Sequence, residues 1–139
     1  MPSEEPSPDQ GPAKFGQSFT YEDGLKVTVT EVKRGTVNSD DWEGNPGDPK
    51  VIVTVKITNG TTHKVRADEA GVQLYYGSQG DVAENLYNYE GFTGTISKGR
   101  SRTGKYDFAL PNKTALKSIT VEVEPSFDHE SAIFEGSVK

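Results

Sequence analysis

Between Val51 and Ile57 the chain reads VIVTVKI, with Val51, Val53, Val55 and Ile57 separated by Ile52, Thr54 and Lys56. A period of two puts the first set on one face of a strand and the second on the other. A helix would scatter the same residues around its axis, so this stretch is read as a half-buried strand. The pattern recurs. Phe19 and Tyr21 alternate before Asp23-Gly24, a pair suited to a hairpin with a primed turn. Leu25, Val27 and Val29 resume the period, and Val32 breaks it by one, as a β-bulge near Thr30–Glu31 would. Val72, Leu74 and Tyr76, then Tyr106, Phe108 and Leu110, then Ile119, Val121 and Val123 complete the series. His63–Arg66 and Thr93–Ile96 are shorter strand segments, and the tail from Phe127 to Lys139 reads as a weak edge strand. No stretch keeps the i, i+3, i+4 spacing over three turns.

Composition agrees. Val, Ile and Thr supply 31 residues against 13 from Ala, Leu and Met, and 15 Gly supply turns. Branching at Cβ favours the pleated sheet over the helix. Seven to nine short strands at 8–12-residue spacing predict an all-β fold, an antiparallel β-sandwich. Residues 1–14, MPSEEPSPDQGPAK, hold four of the eight Pro and no large apolar residue except Met1. They are read as a disordered linker, leaving residues 15–139 as the domain.

Several function classes recede on the same evidence. A net charge of -6 argues against a nucleic-acid partner. With no Cys there is no disulfide, thiolate metal site or cysteine nucleophile. No apolar run reaches the ~18 residues of a membrane-spanning helix. His63 and His129 stand in unrelated contexts and are expected on the surface; no G-x-S-x-G, G-x-G-x-x-G or P-loop string occurs. The chain is therefore expected to be no enzyme and to carry no cofactor. The acidic loop Ser39–Pro49 offers Asp40, Asp41, Glu43, Asn45 and Asp48, but without the ligand order of an EF-hand, so a solvated loop is preferred to a calcium site.

Candidate ligand-binding residues are few. Trp42, the one Trp, sits in that hydrophilic loop and serves either the core or recognition. Tyr75, Tyr87 and Tyr89, with Phe92, would make an aromatic platform for a sugar or peptide if they project outward. Lys98, Arg100 and Arg102 share one parity, and on a strand they would form a basic row able to meet an anionic polymer. The alternatives are ordinary strand tyrosines and a solvated charged edge. Asn59-Gly60-Thr61 and Asn112-Lys113-Thr114 match the N-glycosylation pattern, which is common by chance.

Three segments together carry a family likeness: FGQSFTYEDGLKVTVTEV (Phe15–Val32), VIVTVKITNGTTHKV (Val51–Val65) and FTGTISKGRSRTGKYDFALP (Phe92–Pro111). The second is a strand followed by Asn and a small polar turn. The third is an aromatic, a Gly-rich turn and a strand ending in Pro. The chain resembles an immunoglobulin-like domain family of unknown function found in secreted lipoproteins of Gram-positive bacteria, similar in fold to the mycobacterial immunoprotective extracellular antigen. The resemblance implies an extracytoplasmic domain, secreted or at the cell surface, held by an N-terminal lipid anchor that this chain lacks. The Pro/Glu/Ser linker would then be the tether, and 13 extended residues reach about 45 Å. The expectation is a monomeric, noncatalytic domain that binds a protein, a peptide or a cell-wall glycan. A structural domain partnering another envelope protein, by strand addition at an open edge, is the alternative, and a hydrolase is the third class.

Overall fold

The computed structural model describes residues 12–38, 45–86 and 91–138. In chain order the strands are β1 (Ala13–Lys14), β2 (Ser18–Thr20), β3 (Leu25–Thr36), β4 (Pro49–Asn59), β5 (Val65–Arg66), β6 (Gly71–Tyr76), β7 (Asp81–Val82), β8 (Glu84–Asn85), β9 (Thr95–Ile96), β10 (Ser101–Ala109), β11 (Ile119–Glu124) and β12 (Ala132–Gly136). Five of them are only two residues long, so the main strands number seven, within the expected range. Sheet I runs β1-β12-β11-β6-β7 and sheet II runs β2-β3-β4-β10-β8, while β5 and β9 form a separate pair. Two short 3-10 turns, Ala67–Glu69 and Lys113–Lys117, are the helical elements among the described residues.

The sandwich core follows the predicted alternation. Leu25, Val27 and Val29 of β3, Val51, Val53, Val55 and Ile57 of β4, and Tyr106 and Phe108 of β10 are buried. They meet Val72, Leu74, Ile119, Val121, Val123, Ala132 and Phe134 from sheet I in one cluster. Alternate residues of a strand point to opposite sides, so burying one face exposes the other. The bulge falls where the period broke: the β3–β4 register shifts between Val29 and Glu31. The extra residue returns Val32 to the core side, opposite Val53, and turns Glu31 and Lys33 outward, opposite Thr54 and Ile52. The architecture is thus an immunoglobulin-like antiparallel sandwich, with one parallel pair, β1 and β12.

Three local expectations change. The domain starts before residue 15, because Ala13 and Lys14 pair with Phe134 and Glu135, and Ala13 is buried. Two residues carry no periodicity, so the sequence could not mark them; residues 1–11 of the expected linker lie outside the described residues. The tail strand is not an edge: β12 lies between β1 and β11 with Phe134 fully buried. The β2–β3 hairpin has a three-residue loop, since Tyr21 N–H donates to Leu25 O and Gly24 N–H to Tyr21 O, with Gly24 at φ 100. A Gly is required there for a second reason. Gly60 N–H donates to Gly24 O at 3.2 Å, and a Cβ on either residue would stand about 2.4–2.5 Å from the other's carbonyl oxygen.

The strand-then-Asn signature has a physical account. Asn59 is 0% exposed at the end of β4. Its Nδ2 donates to His63 O and to Ile96 O, both at 2.8 Å. Its Oδ1 accepts from Thr61 N–H at 2.9 Å and lies 2.6 Å from Thr61 Oγ1. One buried amide therefore ties β4 to the following turn and to the end of β9. Both amide hydrogens of Asn59, the first of the two glycosylation-pattern asparagines, are committed inside the fold. Asn112 instead caps the second 3-10 turn, its Oδ1 accepting from Ala115 N–H.

Candidate functional site

The outward face of sheet II is built by the same parity that builds the core. β3 contributes Lys26, Thr28, Glu31 and Lys33, β4 contributes Thr54, Lys56 and Thr58, and β10 contributes Ser101, Thr103 and Lys105. Lys33, Lys56 and Lys105 are exposed and Lys26 is half-buried. Register fixes how they meet. Lys26 lies opposite Thr58 and Lys56 opposite Thr28 on one side and Thr103 on the other, while Lys105 lies opposite Thr54. Lys26, Lys56 and Lys105 thus step diagonally across three strands, with neighbours about 7–8 Å apart. Hydroxyls fill the spaces between them: Ser18 Oγ lies 2.7 Å from Thr28 Oγ1, and Thr58 Oγ1 lies 2.8 Å from Ser101 Oγ.

At one end of this face Lys50 and Asp107 form an ion pair at 3.3 Å, each side chain 11% exposed. The Lys50 stem packs over Gly35, where a Cβ would come within 3.2 Å of it. Near the middle, Thr54 Oγ1 is buried without a hydrogen-bond partner among the described residues. The opposite face, on sheet I, has the other sign. Glu122 and Glu124 of β11 and Glu135 of β12 share it with Gln73, Tyr75 and Thr120, and Lys14 is the one strand cation at its margin.

The residues singled out in the sequence do not converge. Trp42, Tyr87 and Tyr89 lie outside the described residues, as do Asp40, Asp41 and Glu43 of the acidic loop. Tyr75 sits on sheet I, half-buried, with its hydroxyl donating to Glu122 Oε1 at 3.4 Å. Burial, and then the Glu122 charge, push its phenol up. Phe92 is no platform residue: it is buried against Tyr106, whose hydroxyl accepts the Phe92 N–H at 2.9 Å. The basic row also corrects. Lys98 and Arg100 belong to the turn before β10, closed by Arg100 N–H to Ser97 O and by Gly99 at φ 79. Arg102 lies on the strand, where its Nε donates to Thr95 O at 2.9 Å beside Gly94. Shared parity requires a continuous strand, and the Gly99 turn interrupts it. The basic face is carried instead by lysines from three separate strands.

Two shallow grooves flank Tyr76 at one end of the sandwich. One, of about 240 Å³, is lined by Asn45, Asp48, Val82 and Glu84; the other, of about 380 Å³, by Gln79, Asp81, Asn112 and Thr114. Among the described residues no group of three or more His, Asp or Glu is arranged to hold a metal.

His129, expected on the surface, is instead enclosed in a chain of bonds. Its Nδ1 lies 2.6 Å from Ser126 Oγ and its Nε2 lies 2.7 Å from Asp23 Oδ2. Tyr21 meets the ring edge-on, with centroids 4.9 Å apart, and donates its hydroxyl to Glu130 O. Burial of Asp23 would by itself raise its carboxyl, but the Leu25 N–H at 3.1 Å and His129 outweigh it and hold the group below its usual value. Burial, then the charge of Glu130, push the Tyr21 phenol far up. The residue types are those of a hydrolase triad, yet Ser126 is 4% exposed and its Oγ also accepts the Asp128 N–H. The hydroxyl is turned into its own loop rather than presented to a substrate. This cluster staples the β2–β3 hairpin to the β11–β12 loop. The sequence held no signal for it, because Asp23 and His129 stand 106 positions apart.

Comparison with known proteins places this geometry. No functionally curated protein matches the sequence. Three solved structures do. A secreted protein of Mycobacterium tuberculosis, MPT63, is 17% identical, with 98% of this chain and 99% of that one covered and a TM-score of 0.59. The candidate lipoprotein ycdA of Bacillus subtilis is 16% identical with a TM-score of 0.59; 83% of this chain matches 37% of that one. An uncharacterised β-sandwich protein of Clostridium difficile 630 is 14% identical over 97% of this chain and 99% of that one, with a TM-score of 0.54. At these identities the likeness is one of fold. A family model, by contrast, matches residues 13–132, and the chain belongs to the family described as the domain of unknown function DUF4352.

Proposed function

We propose that this chain is the noncatalytic binding domain of an exported bacterial protein, and that it binds through the outward face of sheet II. The observation that carries the reading is the segregation of charge: a chain of net charge -6 gathers Lys26, Lys33, Lys56 and Lys105 on one sheet face, with Glu31, Lys50-paired Asp107 and, at the far edge on β8, Glu84 as its acids. Scattered surface charges need no function, but single-sign accumulation against the net charge raises the local concentration of opposite-sign ligands. A sandwich face is also rigid, so little ordering cost attends binding. The secreted and candidate-lipoprotein descriptions of two matched structures support an extracytoplasmic, lipid-tethered setting. Two experiments test the reading. Protease added to intact cells should remove the domain, and purified protein should be retained on isolated cell envelopes. No retention, or full protection from protease, overturns it.

One observation favours a second reading, an interaction domain for another envelope protein. β2 pairs only with Lys26–Thr28, so among the described residues the outer edge of β3 beyond Val29 has no strand neighbour. Such an edge accepts an added strand, although Lys33 and Arg34 on it deter indiscriminate pairing. Crosslinking from position 33 to a single envelope protein in cells would favour this reading. Covalent labelling of Ser126 by a fluorophosphonate would overturn the noncatalytic assignment altogether.

A further inference from the structure

Resting on the binding role of the sheet II face, we infer its ligand class: a linear phosphodiester polymer laid across the strands along the diagonal Lys26–Lys56–Lys105. The inference comes from which groups the face holds and which it lacks. Its cations are lysines, compact point charges that meet phosphate oxygens from several directions, and no outward position of β3, β4 or β10 carries an arginine fork, so recognition here is by charge rather than by bidentate geometry. Between the lysines stand Thr28, Thr58, Ser101 and Thr103, whose hydroxyls donate readily to phosphate oxygens. The same positions hold no aromatic ring, so the face offers neither a stacking platform for nucleobases nor one for sugar rings. What remains is recognition of a charged backbone.

Geometry sets the spacing. Each lysine is displaced from the next by one strand and one register step, about 7–8 Å. Three cations in a line at that interval match an extended polyanion better than a single phosphate, which could engage only one or two of them. Glu31 sits diagonally from Lys56, opposite Thr54, and limits the row on that side. The acidic face of sheet I, with Glu122, Glu124 and Glu135, repels the same polymer and so fixes which side of the domain it approaches.

The test is a titration of the full chain with synthetic poly(glycerol phosphate) at several salt concentrations. Parallel arms use glycerol phosphate monomer and poly-glutamate of equal charge. The expected result is saturable binding of poly(glycerol phosphate) that exceeds the other two. With three phosphate contacts, log affinity should fall against log salt with a slope of about -2, and each of Lys56→Ala and Lys105→Ala should flatten it by about 0.7. Each single variant should weaken binding about five-fold, the Lys56→Glu/Lys105→Glu double variant should abolish it, and Lys117→Ala, off the face, should change nothing. These positions are exposed, and circular dichroism of each variant verifies the fold. Equal binding of poly-glutamate overturns the phosphodiester assignment, and undiminished binding by the double variant overturns the face. If envelopes retain the wild-type protein while poly(glycerol phosphate) does not bind, this inference fails and the broader binding reading stands; if neither binds, both fail.

Discussion

Replacing Asn59 by Asp changes one NH2 group for one oxygen and should nevertheless be among the most damaging substitutions in the chain. The side chain is 0% exposed, and its two Nδ2 hydrogens are the ones that satisfy His63 O and Ile96 O at 2.8 Å. In the variant Ile96 O loses this donor, His63 O keeps only Thr61 Oγ1 at 2.9 Å, and both face a second acceptor. An unsatisfied buried acceptor costs about 1–3 kcal/mol, and a buried carboxylate set against two carbonyls adds to it, so the loss amounts to roughly 3–5 kcal/mol at neutral pH. That is a large part of the ~5–15 kcal/mol that holds a domain together. The loss should depend on pH in a stated direction. Burial favours the neutral carboxylic acid, which keeps one O–H donor, so the folded-state pKa lies above the unfolded value of about 3.9. The folded state then binds more protons than the unfolded one above that pH. The penalty is therefore smallest below pH ~4, grows as pH rises toward the folded pKa, and is constant beyond it. Urea titrations at pH 4 and pH 7 read this out. With a slope of about 2 kcal/mol per molar urea, the midpoint should drop by about 2 M at pH 7 and by clearly less at pH 4. A drop below about 0.5 M, or a loss equal at both pH values, would refute the view that Asn59 holds β4 to β9 through these two donors.

Gly60→Ala should cost about 2 kcal/mol or more, because its Cβ would lie 2.5 Å from the backbone oxygen of Gly24, whereas Gly136→Ala meets only the ring of Phe15 at 2.7 Å and should cost less; the order of their thermal midpoints checks it. Thr54→Val removes a buried hydroxyl that has no partner among the described residues and keeps the branched shape, so stability should hold or rise by about 1 kcal/mol in urea unfolding. Asp23 has a lowered carboxyl pKa in the fold, so its contribution is present above about pH 4 and is lost as pH falls through the folded value. Its side chain is 44% exposed, which limits the effect to under about 1 kcal/mol. Asp23→Asn should accordingly flatten part of the acid limb of the stability curve, and an unchanged limb would count against the Asp23–His129 staple.

The legible part of this protein was the part written in neighbouring residues. Val51, Val53, Val55 and Ile57 announce both a strand and its buried side, because side-chain direction in a strand depends only on counting by two. The bulge between Val29 and Glu31 showed itself the same way, as a break in the count. The seven main strands and the sandwich class followed from such local evidence. Where a local signal was misread, the cause was also local: Lys98, Arg100 and Arg102 share parity, but the Gly99 turn ends the strand on which parity would have meant a common face. β12 looked like an edge because its sequence is short and weakly apolar, and position within a sheet is not encoded in one strand's pattern.

Everything about the candidate site needed pairing between distant segments. Lys26, Lys56 and Lys105 come from three strands, and no spacing in the chain relates them until the β3–β4 and β4–β10 registers slide them into a diagonal. The same holds for Asp23 with His129 and for Asn59 with Ile96. Sequence alone determined which face of each strand is buried, since that is a matter of alternation within a few residues. Only the tertiary structure decided what stands beside what on the outer faces, because register is set by the packing of two whole sheets against a shared core, and a shift of a single residue would send every one of those lysines to the other side.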